Sequence, residues 1–189
     1  MLTHKGTVEL TTPRLLLRRL TIDDAQAMYE NWASDEKAPK FMSWEPHKSI
    51  EETKEILATW IAEYEKTEYY HWAIEVGGTI VGTVGLHAVS DKHERGELGY
   101  CIGSKWWNQG IVTEAVGAVI RFMFTECNAN KICALHDIEN PGSGRVMQKN
   151  GMRQEGLLRE HHVRKDGSRG DLAYYAILKN EYIHPNEKE

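Results

Sequence analysis

One stretch of the sequence, residues 97–126, constrains the fold more strongly than any other. Residues 97–103 form a predicted strand, and residues 109–126 carry apolar side chains at helical spacing. The strand therefore runs through a short loop into a helix whose first turn contains Gly110. The first amides of a helix lack intrahelical partners, and with the helix dipole they form a site suited to a pyrophosphate. The same pattern also fits an ordinary tight connection.

Hydrophobic periodicity divides the remaining chain into two early helices and a series of strands. Thr21 and Ser49, each followed three residues later by an acid, predict the two helix starts. The period then changes to two, and Gly77-Gly78 predicts a hairpin. The predicted strands span residues 14–20, 71–76, 79–89, 97–103 and 131–137, with two more around the Asp166-Gly167 turn and a short helix over 142–150. The order β-α-α-β-β-β-α-β-α-β-β indicates a mixed sheet with helices on its faces.

Composition limits the classes of protein that remain. A chain of 189 residues, 41% hydrophobic and 27% charged, fits one globular domain. No run approaches the roughly 20 apolar residues of a membrane span, and residues 1–10 lack the apolar core of a secretion signal, so we expect a cytoplasmic protein without a membrane partner. The net charge of −5 offers no basic surface for nucleic acid and is compatible with a cationic substrate.

The cysteines argue against a metal or a disulfide framework. Cys101, Cys127 and Cys133 are odd in number and form no CxxC pair. We therefore expect no metal site.

A second motif, Asn140-Pro-Gly-Ser143, stands at a predicted helix entry directly after a strand. Asn and Ser are favoured helix caps and Pro141 suits a first helical turn, so capping alone would explain each residue. The motif gains weight from its position about thirty residues beyond the glycine loop, in β-α-β-α order.

Together the two motifs resemble the coenzyme A motif and the following helix motif of the GNAT acetyltransferases. Within that superfamily, Trp107-Asn-Gln-Gly-Ile-Val-Thr-Glu-Ala115 and Asn140…Ser143 are most similar to the ribosomal-protein-alanine N-acetyltransferase branch. The resemblance extends from Arg14 to Leu178. It implies one N-acetyltransferase domain over residues 1–189, with its core at about 8–183. It also implies an α/β (α+β) fold, with a mixed, mostly antiparallel sheet of about seven strands and about four flanking helices.

The resemblance further implies acetyl-CoA as cosubstrate, an amine acceptor and compatibility with a homodimer. The residues it assigns to coenzyme binding are Tyr100, Cys101, Ile102, Trp107, Asn108, Gln109, Gly110, Ile111, Val112, Thr113, Asn140 and Ser143. Trp107 and Val112 depart from the wider superfamily, which has Arg or Gln and then Gly or Ala at these places. Met147 stands where many members carry a tyrosine acid, and it cannot donate a proton. By resemblance to the ribosomal-protein branch, Ser143 takes that role.

The predicted chemistry is direct attack of a neutral amine on the thioester. Glu97 is the first candidate for the base, although a surface pair with Arg95 or Lys105 would explain this carboxylate equally well. Backbone N–H groups of residues 100–102 would hold the oxyanion. The thiolate leaving group titrates near the cysteine value of about 8.5, so a serine hydroxyl suffices to assist its departure. Asn140 would anchor the pantetheine or its loop.

The acceptor is the less constrained partner. In the superfamily the region between the early helices forms part of the acceptor cleft, so Phe41 and Trp44 are expected to line it. His87 and His136, near strand ends, are interpreted as ordinary hydrogen-bonded histidines. An N-terminal α-amine, titrating near 8, needs less help from a base than a lysine amine near 10.4. The motifs leave three alternatives open: a protein N-terminus, a small amine such as a polyamine, aminoglycoside or amino acid, and a non-catalytic acetyl-CoA-binding module.

Overall fold

The computed structural model describes residues 1–183. The strands are β1 (Leu10–Thr11), β2 (Leu15–Arg18), β3 (His71–Val76), β4 (Thr79–Ser90), β5 (Arg95–Ile102), β6 (Lys131–Asp137), β7 (Arg153–Val163) and β8 (Arg169–Leu178). The helices are α1 (Ala25–Met28), α2 (Ile50–Glu63), α3 (Ile111–Thr125), α4 (Pro141–Lys149) and α5 (Lys179–Ile183). All eight strands join one sheet in the order β1-β2-β3-β4-β5-β6-β8-β7.

The predicted order of elements is confirmed, with three differences. The two-residue β1 adds an eighth strand by pairing with β2, and α5 adds a fifth helix at the end of the described chain. The helix predicted from Thr21 is not continuous, because a 3-10 turn precedes α1 and a π-helical turn (Tyr29–Ala33) follows it. Helix α3 begins at Ile111, so Gly110 precedes the helix and is not in its first turn.

A gap opens in the middle of the sheet between β5 and β6, which form the sheet's parallel pair. Their pairing runs from Arg95↔Lys131 to Leu98↔Ala134. Beyond Leu98, β5 continues to Ile102 with β4 as its partner, while β6 continues to Asp137 along β8. The carboxyl ends of these two strands therefore diverge, and each presents an edge to the space between them.

The two faces of the sheet carry separate cores. Ala115, Val119 and Met123 of α3 are fully buried in the cluster that contains Leu98 and Ile132. On the opposite face, α1 and α2 contribute to a second cluster together with side chains of β3 and β4. Because successive side chains of a strand alternate, Leu98, Tyr100 and Ile102 of β5 project to the α3 face, and Glu97, Gly99 and Cys101 project to the α2 face.

Candidate active site

A cavity of about 1090 Å³ reaches both faces of the sheet at the gap between β5 and β6. Side chains of β5, β6, α4, α2 and the β7–β8 hairpin line it. It brings together seven residues that the sequence analysis assigned to the site: Phe41, Trp44, Glu97, Tyr100, Cys101, Asn140 and Ser143. The remaining predicted coenzyme residues, Ile102 and those from Trp107 to Thr113, lie outside its lining.

On the α3 face, two hydroxyl groups form the chemical centre of the cavity. The Tyr100 hydroxyl and Ser143 Oγ are 2.9 Å apart, and the Tyr100 hydroxyl also donates to the Ser143 carbonyl at 3.1 Å. Burial raises the pKa of Tyr100 to about 12, so the phenol keeps its proton at neutral pH. The phenol is therefore suited to donate a hydrogen bond, and the Ser143 hydroxyl beside it can do the same. The sequence analysis considered only the backbone of Tyr100 and missed its hydroxyl.

Asn140 combines the cap role with a place in the cavity wall. Its side-chain oxygen accepts a hydrogen bond from the Ser143 N–H at 3.3 Å, which makes it the N-cap of α4. The cap fixes the first turn of α4 and, with it, the direction of the Ser143 side chain. Met147 is 1% exposed and faces the core, so it takes no part in the cavity.

The loop before α3 is built to present backbone N–H groups. Gly110 has φ 76°, a left-handed conformation that glycine adopts without steric cost, and its carbonyl accepts the first helical bond from the Glu114 N–H. The backbone N–H groups before that of Glu114, in the first turn of α3, have no acceptor within the helix and point out of its N-terminal end. Ile111 and Val112 are buried in the core, so Val112 does not crowd the space beyond those amides. This geometry fits an anionic diphosphate held by backbone groups.

Arg14, the residue before β2, contacts the loop before α3. Its guanidinium donates to the Gln109 carbonyl at 3.1 Å and to the Glu114 carboxylate at 2.6 Å. Burial alone would raise the pKa of Glu114, but hydrogen bonds from Thr12 and Arg14 lower it, so the carboxylate stays ionised and holds the arginine. A half-exposed cation thus lies beside the loop.

On the α2 face, Glu97 is half-buried and lines the cavity. Within residues 1–183 it forms no ion pair, so the alternative pairing with Arg95 or Lys105 is not found. Phe41 and Trp44 lie in the cavity wall, and Trp60 and Tyr69 extend the aromatic lining.

A buried ion pair fixes the β7–β8 hairpin against this face. Asp137, 1% exposed at its side chain, accepts from Arg164 at 2.6 and 2.9 Å and contacts His162 at 2.8 Å. These hydrogen bonds, Arg164's above all, hold the pKa of the Asp137 carboxyl far below its usual range despite burial. At the hairpin tip, Lys165 donates to the Trp44 carbonyl at 2.6 Å and bridges the mouth of the cavity.

The described cysteines are protonated thiols or buried, which bears on whether one could act as a nucleophile. Cys101, Cys127 and Cys133 are free thiols, and burial raises the pKa of Cys101 to about 12. The one cysteine in the cavity wall therefore stays protonated, which disfavours an acyl-cysteine intermediate. Residues 1–183 contain no cluster of three or more His, Cys, Asp or Glu arranged to hold a metal ion. No helix in this part of the chain has the length and apolar character to cross a membrane.

Comparison with known proteins decides the family. The family model described as an acetyltransferase (GNAT) domain matches residues 14–153. The chain is a GNAT acetyltransferase.

Relatives of this GNAT acetyltransferase carry related names. It is 33% identical over 172 residues to the uncharacterized N-acetyltransferase YoaA of Bacillus subtilis (strain 168), covering 90% of this chain and 96% of that protein. It is 27% identical to the [ribosomal protein uS5]-alanine N-acetyltransferase of Escherichia coli (strain K12), covering 82% of each. The crystal structure of a GNAT-family acetyltransferase from Bacillus anthracis superposes with a TM-score of 0.80 at 27% identity, covering 92% of this chain and 100% of that one.

The enzyme is thus an N-acetyltransferase of the GNAT fold, and acetyl-CoA is its cosubstrate. The diverging strands and the amide-lined loop before α3 fit the two ends of that molecule, a pantetheine arm and a diphosphate.

Proposed function

We propose that this enzyme transfers acetyl from acetyl-CoA to an α-amine at a protein or peptide N-terminus, in the cytoplasm. The observation that carries the proposal is the gap between β5 and β6, which connects the Tyr100–Ser143 pair on one face with Glu97 on the other. A thioester entering from the α3 face would meet an amine approaching from the α2 face. The uS5-alanine relative, 27% identical, supports an N-terminal amine as acceptor.

Each predicted residue then has a place in the reaction. The β5 amides of residues 100–102 would stabilise the oxyanion, because this part of the strand faces the gap. Ser143, coupled to Tyr100, would protonate the departing thiolate. A base on the acceptor side would accept the amine's proton, directly or through water. Glu97 is the candidate that the sequence offers, and its negative charge would attract an ammonium group. Phe41 and Trp44 would contact the residue next to the reacting amine.

The residues proposed to bind the coenzyme form two groups, one for the pantetheine arm and one for the diphosphate. Asn140 and Ser143 would flank the pantetheine arm, with Tyr100, Cys101 and Ile102 along the strand edge. The residues that would hold the diphosphate through their backbone are Trp107, Asn108, Gln109, Gly110, Ile111, Val112 and Thr113. The single domain over residues 1–189 and the homodimer stay predictions. The free thiols among the described residues fit a reducing compartment.

A small cationic amine is the second candidate acceptor. The α2 side of the cavity carries Glu63 and Glu97 beside the rings of Trp44, Trp60 and Tyr69. Carboxylates and aromatic faces are the groups that attract ammonium ions in proteins. A polyamine, which has no peptide backbone to accommodate, could enter such a cleft.

The deciding experiment measures free thiol release from acetyl-CoA with peptides that begin with Ala, Ser or Met, and with polyamines, aminoglycosides and amino acids. Turnover with the peptides alone is the expected result. Turnover with small amines alone would overturn the acceptor class while leaving the family and the donor intact. Coenzyme binding without turnover on any acceptor would instead support a binding module.

A further inference from the structure

His87 occupies an unusual place in the sheet. The β4–β5 register shifts between Leu86 and Ala88, so His87 is the extra residue of a β-bulge. Bulges redirect side chains, and here the His87 side chain lines the cavity on the same side of the gap as Glu97. His136, the other histidine interpreted as hydrogen-bonded, bonds to the Asp137 carbonyl at 2.8 Å, whereas the His87 ring is placed by the bulge at the cavity wall.

The His87 imidazole lies directly over Gly99. A Cβ atom at position 99 would overlap Nε2 of the ring, and the two ring carbons beside it. Gly99 is the first β5 residue beyond the last parallel pair with β6, and the next amides are those assigned to the oxyanion. Glu97 lies two residues further back along β5. The imidazole therefore lies beside the part of β5 at which the two strands diverge.

Several ionisable groups surround His87 in the cavity. Burial, together with the positive charge of the neighbouring His87, lowers the pKa of His71 on β3 to about 4, so His71 stays neutral. The other charged groups that face this part of the cavity are Glu63 of α2, Glu97 of β5, Asp137 of β6, and His162 and Arg164 of the hairpin. Asp137 and Arg164 neutralise each other, and Glu63 pairs with Lys66. Glu97 is left to stabilise an imidazolium.

We propose that His87, rather than Glu97, is the catalytic base that accepts the proton of the acceptor amine. This inference rests on the proposed acetyl transfer. The amine nitrogen forms a bond to the acetyl carbon, the carbon–sulfur bond breaks, and the nitrogen's proton passes to His87 Nε2. The thiolate takes a proton from the Tyr100–Ser143 pair, which regains it from solvent as His87 releases its own. Glu97 acts as the charge that holds the imidazolium.

The test compares His87→Gln with wild type over pH 5.5–9 on the best acceptor found above, following kcat/KM and coenzyme affinity. We expect kcat/KM near neutral pH to fall by about 100-fold, with the acid limb of the profile lost and coenzyme affinity within about twofold. His93→Gln is the matched control, because His93 is an exposed histidine outside the cavity. It should reproduce the wild-type profile.

Gly99→Ala gives an independent variant that keeps the histidine but displaces its ring. Alone it should lower kcat/KM nearly as much as His87→Gln, and in the His87→Gln background it should add less than about threefold. An unchanged pH profile and rate in His87→Gln would overturn the base assignment while leaving acetyl transfer intact. A wild-type enzyme without turnover on any acceptor would instead refute the proposed function on which this inference rests.

Discussion

The two sides of the cavity are built in different ways. The donor side, comprising β5, residues 107–110, α3 and α4, comes from a continuous stretch of about fifty residues and relies on backbone groups and one capped helix. The acceptor side is assembled from three separated segments: residues 41–63 (which include α2), the β4 bulge and the β7–β8 hairpin. Side chains hold it together, as in the contact of Lys165 with the Trp44 carbonyl across 121 positions of sequence.

This difference has a functional consequence. Backbone N–H groups do not depend on side-chain identity, so a local and backbone-based donor site can tolerate side-chain changes such as Trp107 and Val112. The acceptor differs among relatives, and a site made of side chains from separate loops can change without disturbing the sheet. Variants on the donor side should therefore alter coenzyme binding or kcat, and those on the acceptor side should alter the acceptor's KM.

The largest expected effect lies at the junction of the two sides. Ser143→Ala should lower kcat by about 100-fold while coenzyme affinity is retained, because it removes a proton donor and leaves the backbone site intact. Tyr100→Phe should have a smaller effect, and the double variant should be less than additive because the hydroxyls act as one unit. Steady-state thiol release and coenzyme titration test this prediction. Unchanged kcat in Ser143→Ala would remove Ser143 from the mechanism.

The donor side alone should respond to Gly110→Ala. Position 110 has φ 76°, so a methyl group there strains the loop by about 1–2 kcal/mol, and it would lie 3.4 Å from Arg14 Nη2. We expect the Kd for CoA to rise about tenfold, which corresponds to about 1.4 kcal/mol, with the acceptor's KM unchanged. Calorimetric titration with CoA measures this Kd, and steady-state kinetics measure the acceptor's KM.

Gly78→Ala is the control for that strain. Gly78 has φ 80° in the β3–β4 turn, and a methyl group at this position would meet no other atom within 4 Å, so the variant tests left-handed strain away from the cavity. Its CoA affinity should match wild type. Equal losses of affinity in both variants would show that Gly110 acts through general stability.

Asp137→Asn should affect the acceptor side. It breaks a buried pair with Arg164, so we expect Tm to fall by about 5–10 °C and the acceptor's KM to rise severalfold while CoA affinity stays constant. Thermal unfolding with and without CoA and steady-state kinetics test this. Loss of CoA affinity of the same size would contradict the separation of the two sides.

The same pair predicts a pH dependence of stability. The pKa of Asp137 is depressed in the folded state, so its contribution is complete above the unfolded value of about 4 and is lost as the pH falls below it. The Tm difference between wild type and Asp137→Asn should therefore shrink between pH 6 and pH 3. An increase in this Tm difference as the pH falls would contradict the prediction.

The smallest effect is expected at the mouth of the cavity. Lys165→Met removes a bond to the Trp44 carbonyl and an ion pair with the largely exposed Glu45. Exposed pairs contribute little, so we expect Tm to change by less than about 2 °C and the acceptor's KM to change by about two- to threefold. A tenfold change in KM would show that the Lys165 bridge holds the acceptor.

The sequence alone determined the order of elements and the family, and it predicted the residues of the donor side. Apolar spacing, helix caps and the Gly110 loop depend on residues close together in sequence. Elements that depend on such local signals can be predicted from sequence, as the predicted strand at Lys131–Asp137 shows. Only the tertiary structure decided the gap between β5 and β6, the Tyr100–Ser143 hydroxyl pair, the Asp137–Arg164 anchor and the placement of His87 over Gly99. Each depends on strand register or on contacts between residues distant in sequence, and a one-residue bulge reverses a side chain's face without leaving a periodic signal.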